Sequence, residues 1–469
     1  MRLPSLMQNW VCSLEGWRLR RNRLGPYFRK ALEEAERHGN WTHEQTIAYR
    51  DRRLAEYIQH CADSVPYYQR MFQRLGIDPR DITTLADLER VPILTKADVR
   101  ENFADLLSTK INPRQRVFMR TGGTTGSGLR FVATEESLHR QFAVWWRYRR
   151  WHDLPFDVWH GYFGGRPIVP LRQTRPPFWR YNRPGRQILF SGYHISPDTI
   201  GYYIDELRRC RPPWLHGYPS LLVLLASYIL ESGQTLGYPL RWITVGSESL
   251  LEQQVDLIRQ VFGITPVQHY GMSEAVANIS QCPCGRLHVD EDFAATEFVP
   301  LDDGQGYRVV GTGFTNLAMP FVRYDVGDVV ELDDRLCDCG RPGRIVRSID
   351  GRKEDYVILR NGARVGRMAH IFKDFENIRE AQLYQDTPGV LHVRVVRGAN
   401  YTAHDESMLL RKFRERFGDE AEIRIEYVER LPRSATGKLR FVVSEIQEGQ
   451  IYPVTGIESI CKSGQCLQG

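Results

Sequence analysis

TGGTTGSG, residues Thr121 to Gly128, decides how the rest of this chain is read, because it sets glycines among hydroxyls over eight residues. Glycine lets backbone N–H groups turn toward an anion with no Cβ in the way, and Thr124, Thr125 and Ser127 add hydroxyl donors. The run reads as a loop that holds phosphate. It is not the Walker P-loop, which ends in Gly-Lys-Ser/Thr, since Leu129 and Arg130 follow Gly128 here. Taken alone it also fits an ordinary Gly/Thr turn, so its surroundings carry the decision.

Downstream, from Trp214, short apolar runs alternate with longer ones. Trp242–Val245 and Thr265–His269 are strand-like, while Leu221–Leu230 and Leu251–Phe262 have helical length. This βαβα rhythm predicts an α/β sheet with parallel members. Ligands in such sheets sit beyond the carboxyl ends of the strands, which places the loops Gly246–Ser249 (GSES) and Tyr270–Glu274 (YGMSE) where chemistry is expected. Upstream, residues to about Leu107 read as helical; Leu54, Tyr57, Ile58 and Cys61 form an apolar stripe, and Ser64 before Pro66 marks a stop and restart. Glu135–Tyr148 is a further helix whose Phe142, Trp145 and Trp146 belong to the core. The Gly-, Pro-, Arg- and aromatic-rich runs Gly161–Pro170 and Arg172–Gly185 read as long irregular loops. Near the C-terminus, Leu391–Val396 and Glu422–Val428 alternate like half-buried strands around an amphipathic helix, Ser407–Phe417, as in a small α+β domain. Its boundary is expected at Gly351–Asp355, and the tail after Glu448 is polar.

With 469 residues the chain exceeds what one hydrophobic core serves, so at least two domains are expected. Charged residues at 26% and hydrophobic ones at 42% are the balance of a globular enzyme, not of a disordered or fibrous chain. A net charge of +6 is small for this length, and the clusters Arg18–Arg23 and Arg147–Arg150 read as solvated faces, so nucleic acid is not an expected partner. The first thirty residues contain no uninterrupted apolar segment of a secretory signal, and Leu221–Leu230 is far shorter than the ~20 residues that span a bilayer. A cytoplasmic protein without membrane insertion is expected. Nine cysteines then argue for free thiols or a metal. Cys282-Pro-Cys284, His288 and Cys337-Asp-Cys339 flank a β-rich stretch and together can close the tetrahedral N/S site that structural zinc prefers; ordinary free cysteines are the competing reading.

Five motifs in order complete the picture: TGGTTGSG, YGMSE (Tyr270–Glu274), RYDVGD (Arg323–Asp328), GRKEDYV (Gly351–Val357) and PRSATGK (Pro432–Lys438). Together they resemble the core motifs of the adenylate-forming superfamily, from about Val91 to Lys438, and within it phenylacetate:CoA ligase and its relatives in capsular polysaccharide gene clusters. The resemblance implies an α/β fold with a large multi-sheet N-terminal domain (1–350, with a helical start to 107) and a small mobile α+β C-terminal domain (351–469). It implies that a carboxylic acid attacks the α-phosphate of ATP to give acyl-AMP and pyrophosphate, followed by transfer to CoA. Two anions must then approach, and cations and donors must cancel their repulsion.

The resemblance also implies roles. Thr121, Gly122, Gly123, Thr124, Thr125 and Gly126 would hold the β- and γ-phosphates. Glu274 would carry Mg²⁺, a hard ion held by carboxylates and phosphate oxygens. Asp328 would accept the ribose hydroxyls, while Tyr270, with Gly271, Met272 and Ser273 after it, and the backbone of Gly246, Ser247 and Glu248 would flank the adenine. Lys438 would be the catalytic lysine, Arg352 would assist at the nucleotide, and Asp355 would be the hinge of the small domain. In relatives with a zinc site the matching ligands would be Cys282, His288, Cys337 and Cys339, with Cys284 spare or substituting. His216–Pro219 and Tyr162–Gly165 are candidate linings of the acid pocket. The glycine loop departs from the family in lacking the Pro and Lys that commonly follow TTG, and in carrying Gly122 where Ser is common. A homodimer is among the assemblies compatible with the resemblance. Two rival functions stand beside CoA ligation: acyl transfer to an amine or hydroxyl of a surface-glycan or natural-product precursor, and a non-catalytic nucleotide-binding descendant.

Overall fold

The stripe Leu54, Tyr57, Ile58 and Cys61 lies fully buried in the helix His43–Ser64, which Thr42 and Gln45 open with a reciprocal capping box. Val65 breaks the helix, and Pro66, whose missing N–H costs nothing in a first turn, starts the next one, Pro66–Leu75, closed by left-handed Gly76. In this computed structural model the described residues are 5–121, 129–301, 306–352, 357–360, 364–365, 368–372, 375, 377–433 and 439–446. Gly122, Gly123, Thr124, Thr125, Gly126, Asp355 and Lys438 lie outside them.

The chain divides into two compact units, Met1–Arg352 with Arg433–Lys438, and Lys353–Pro432 with Leu439–Gly469. The first is built on one twelve-stranded ladder. Its parallel half runs Gln187–Ser191, His160–Gly164, Trp214–Gly217, Trp242–Gly246, Val267–Gly271, with Trp179–Asn182 added antiparallel as the outer edge. The other half is antiparallel, in the order Asn278–Gln281, Leu287–Val289, Ile345–Arg352, Tyr324–Asp333, Tyr307–Gly313, Ala294–Pro300. Helix Pro219–Glu231 is buried on nearly every side, which explains a sequence without a polar face, and packs with Glu252–Phe262 on the parallel half. A separate hairpin, Arg116–Arg120 with Arg130–Thr134, carries the glycine loop at its tip.

The second unit is an α+β sheet in the order Glu422–Tyr427, Val390–Arg397, Ile378–Gln385, Val442–Ser444. Leu409, Phe413 and Phe417 of helix Ala403–Phe417 pack in one core with Leu391, Val393 and Val395.

Two expectations need correction. The runs Gly161–Pro170 and Arg172–Gly185 are not wholly irregular, because the first begins inside a strand third from the sheet's edge and the second contains the edge strand itself. A Cβ on Gly161 would sit 2.8 Å from Leu215, so glycine there serves close strand packing, and Phe163 stacks on Phe190 at 4.7 Å between centroids. Nor is Arg147–Arg150 a uniformly solvated face. Arg147 is buried with Asp290 and Asp292 each 2.7 Å away, and Asp292 also meets His38 Nδ1 at 2.9 Å. Its partners lie far along the chain, where local charge patterning gives no sign of them.

Candidate active site and cysteine cluster

Thr121 closes the neck of the glycine loop: its N–H donates to the Leu129 carbonyl and its Oγ1 accepts from the Leu129 N–H, both at 2.9 Å.

YGMSE begins inside the strand Val267–Gly271, whose last two residues are Tyr270 and Gly271. Gly271 is required by crowding, since a Cβ would lie 2.8 Å from Asn278 Oδ1 and 2.9 Å from both His269 and Trp145. Beyond it, Gln141 from helix Glu135–Trp151 donates to the Met272 carbonyl, Ser273 follows half-buried, and Ala275 adopts φ 57°, a left-handed turn that sends the chain back into Asn278–Gln281. Glu274 is buried at this turn, with the Tyr324 hydroxyl 3.5 Å from its Oε1.

RYDVGD lies on the antiparallel half. Arg323, at φ 51°, is held by Glu297 at 2.7 and 3.0 Å and donates to the Val91 carbonyl at 2.6 Å. This buried fork fixes the entry to the strand Tyr324–Asp333. Gly327, at φ 81°, donates its N–H to Asp325 Oδ1 in a tight turn just before Asp328. Asp328 Oδ2 then accepts from the Tyr270 hydroxyl at 2.8 Å, and strand register sets Arg352 directly opposite Asp328. Three motifs that are distant in sequence thus meet at one place: Tyr270 and Glu274, Tyr324 and Asp328, and the backbone of Arg352.

The GSES loop follows Trp242–Gly246. Gly246 leaves room for the His269 carbonyl, 3.1 Å from where a Cβ would be, and Ser247 turns left-handed at φ 72°. Glu248 Oε2 accepts from the Ser220 N–H at 3.1 Å, capping the N-terminus of Pro219–Glu231. This carboxylate anchors the loop to a helix, a job the motif alone did not reveal. Of the acid-pocket candidates, Tyr162 and His216 face each other with centroids 5.7 Å apart. His216 Nδ1 is 3.0 Å from the Thr244 carbonyl and 2.9 Å from the Thr244 hydroxyl, and burial, then Arg149 and His160, push its pKa well down, which favours the neutral ring. Gln141 and Ser220 had no signal in spacing, and only the fold brings them to the motifs; Tyr324 stands inside RYDVGD, but its pairing with Glu274 is visible only in the fold.

Cys282, His288, Cys337 and Cys339 converge, with their ligand atoms within 4.8 Å of one another. Cys282 Sγ and Cys337 Sγ are 3.7 Å apart, and Cys339 Sγ is 3.5 Å from His288 Nε2. A tetrahedral zinc with Zn–S ~2.3 Å and Zn–N ~2.0–2.1 Å sets these separations at about 3.8 and 3.6 Å. His288 Nδ1 donates to the Pro342 carbonyl at 3.0 Å, which fixes the tautomer and aims the Nε2 lone pair at the thiols. Cys284, counted among the candidate ligands, stands outside the group: the turn closed by Gly285 N–H to the Cys282 carbonyl carries it to the exposed surface.

Comparison with known proteins shows what the chain is similar to. Residues 357–445 match the CapK C-terminal domain family. Protein CapK of Staphylococcus aureus is 26% identical over 95% of this chain and 98% of its own length. Phenylacetate-coenzyme A ligase of Thermus thermophilus is 25% identical, covering 68% of this chain and 72% of its own. Among solved structures, 2-hydroxyisobutyryl-CoA ligase in the postadenylation state with 2-HIB-AMP superposes at TM-score 0.65 with 17% identity, over 87% of this chain and 91% of that one. The chain is thus similar to CapK along nearly its full length and to the phenylacetate-CoA ligase over about two thirds of it, and its fold is that of the solved CoA ligase.

Proposed function

We propose that this protein is an AMP-forming acid ligase, activating a carboxylic acid with ATP to acyl-AMP and pyrophosphate and then passing the acyl group to CoA. The observation that carries the reading is that Tyr270 and Glu274 of YGMSE each meet a residue of RYDVGD, Asp328 and Tyr324, so side chains suited to different parts of ATP are gathered from two stretches distant in sequence. In this reading Asp328 accepts the ribose hydroxyls, and Glu274, buried beside Tyr324, holds Mg²⁺ against the phosphates, where the ion supplies charge neutralisation. Lys438 stabilises charge as the acid attacks. The cysteine cluster holds one structural zinc, and the enzyme works in the cytoplasm.

A panel of aryl, fatty, hydroxy and amino acids, assayed for pyrophosphate release with and without CoA, tests the proposal. The expected result is acid-dependent pyrophosphate release and CoA-dependent release of AMP. Absence of pyrophosphate release with every acid would instead favour a non-catalytic nucleotide-binding protein. A second reading has specific support: the match to CapK covers 95% of the chain, and its C-terminal unit matches the CapK C-terminal domain family, whereas the phenylacetate-CoA ligase of Thermus thermophilus aligns over 68% of it. Under that reading the adenylate passes to an amine or hydroxyl of a surface-polysaccharide or natural-product precursor. Acid-dependent pyrophosphate release that CoA leaves unresolved to AMP would select it.

A further inference from the structure

Helix Ser5–Arg23 is turned inside out. Its polar residues face the protein: Asn9 Oδ1 accepts from the Tyr181 N–H at 3.0 Å, the Ser13 hydroxyl donates to the Tyr181 carbonyl at 3.2 Å, and Gln8 Oε1 accepts from Arg180 at 2.7 Å. Further along, Arg20 donates to the Pro184 carbonyl at 2.8 Å and pairs with Asp157 at 2.6 Å. These contacts satisfy the outer edge of the strand Trp179–Asn182, the last in the twelve-stranded ladder. Gly16 makes the approach possible, since a Cβ there would fall 1.8 Å from Asn182 Oδ1.

The opposite face carries the apolar residues. Met7 is 51% exposed, Trp10 79%, Val11 59%, Leu14 70% and Trp17 53%. With 3.6 residues per turn these five, and exposed Arg18 and Arg21 after them, fall within about 120° of the helix circumference. The helix cannot roll to bury this stripe without orphaning the backbone groups of Tyr181 and driving a side chain into Asn182.

We propose that this face is a membrane-docking surface, which lies on an anionic bilayer with Met7, Val11 and Leu14 in the headgroup–acyl boundary and Trp10 and Trp17 beside them. Arg18 and Arg21, on the same face, meet the lipid phosphates. Charge and composition select this occupant: the stripe runs from apolar to basic, its one acid, Glu15, is already paired with Arg18 at 2.7 Å, and tryptophan is the side chain most at home between water and acyl chains. A second copy of the chain fits less well, because five side chains of one helix fall short of the about 20–30 residues that each partner gives a stable interface. The helix adsorbs and does not cross, as no helix among the described residues is long and apolar enough to span a bilayer.

Flotation of the full-length protein with vesicles of phosphatidylcholine, with or without 30% phosphatidylglycerol, tests this. The expected result is co-flotation with the anionic vesicles only, weakened by salt, with a blue shift of tryptophan emission. Trp10→Ser with Leu14→Ser should abolish it, and Arg18→Gln with Arg21→Gln should lower partitioning by about fivefold per arginine. All four positions are solvent-facing, so circular dichroism and pyrophosphate release should be unchanged. Absence of wild-type flotation at low salt would overturn the proposal, as would a dimer in light scattering that the Trp10/Leu14 variant dissolves while vesicle binding is nil.

Discussion

Asp328 and Tyr270 are joined by a single hydrogen bond, and that bond allows the nucleotide assignment to be tested at two strengths. Asp328→Ala removes the acceptor for the ribose and should raise the KM for ATP about ten- to a hundredfold, the loss of a charged hydrogen bond of ~1.5–3 kcal/mol, with little change for the acid. Tyr270→Phe removes only the phenol donor and should cost much less. Steady-state kinetics with ATP and acid varied separately decide it; unchanged ATP kinetics in a folded Asp328 variant would sink the assignment. At the cysteine cluster, metal analysis should find one zinc per chain. Cys337→Ser with Cys339→Ser should lose it and lower Tm, whereas Cys284→Ser, at an exposed thiol outside the group, should keep both. Zinc that survives the double substitution would reject the ligand set.

At the scale of elements, three strands of the parallel half carry a histidine each: His160, buried, and His216 and His269, partly buried. His160 and His269 have their pKa pushed down to about 3, by burial first, with Arg149 adding to it, and His216 is pushed down for the same reasons. All three are neutral when folded and take up protons when unfolded, so the unfolded state binds more protons below about pH 6.5 and stability falls as pH drops through that window. Each costs up to about 2 kcal/mol at pH 5. Asp290, raised to about 6 by burial, opposes them with the reverse slope between about pH 4 and 6, so the useful comparison is with a variant. Urea midpoints at pH 7.5 and 5 should diverge less in His160→Phe than in the wild type; equal divergence would show that His160 is already protonated when folded. The strands of this half of the sheet differ in how far sequence revealed them. Trp242–Gly246 and Val267–Gly271 announced themselves as apolar runs between amphipathic helices. His160–Gly164 and Trp179–Asn182 did not, because Gly161 and Arg180 carry long-range packing that looks like loop composition in isolation. The motifs expected to bind nucleotide were legible because each needs special backbone: Gly271 for crowding, Gly327 for a turn. Gln141 and the contact of Tyr324 with Glu274 were not, since an ordinary side chain gains its role only from what folds beside it.

At the scale of the whole molecule, the chain forms two compact units, and the segments expected to bear the hinge and the lysine, at Asp355 and Lys438, both fall where it passes from one unit to the other. Such a division suits a reaction in two steps that need different surroundings: charge must be neutralised while the acid attacks ATP, and the adenylate must then be opened to an acceptor. If Lys438 serves only the first step, Lys438→Ala should slow adenylate formation by about two to four orders of magnitude, the range in which removing one charge-stabilising or proton-transfer group acts. Supplied with pre-made acyl-AMP, the same variant should still transfer the acyl group at close to the normal rate. Asp355→Pro should behave in the opposite sense, because a fixed φ at the hinge leaves adenylation intact and stalls transfer. Single-turnover measurement of each half-reaction separates the two, and equal loss of both in a folded Lys438 variant would refute the division of labour.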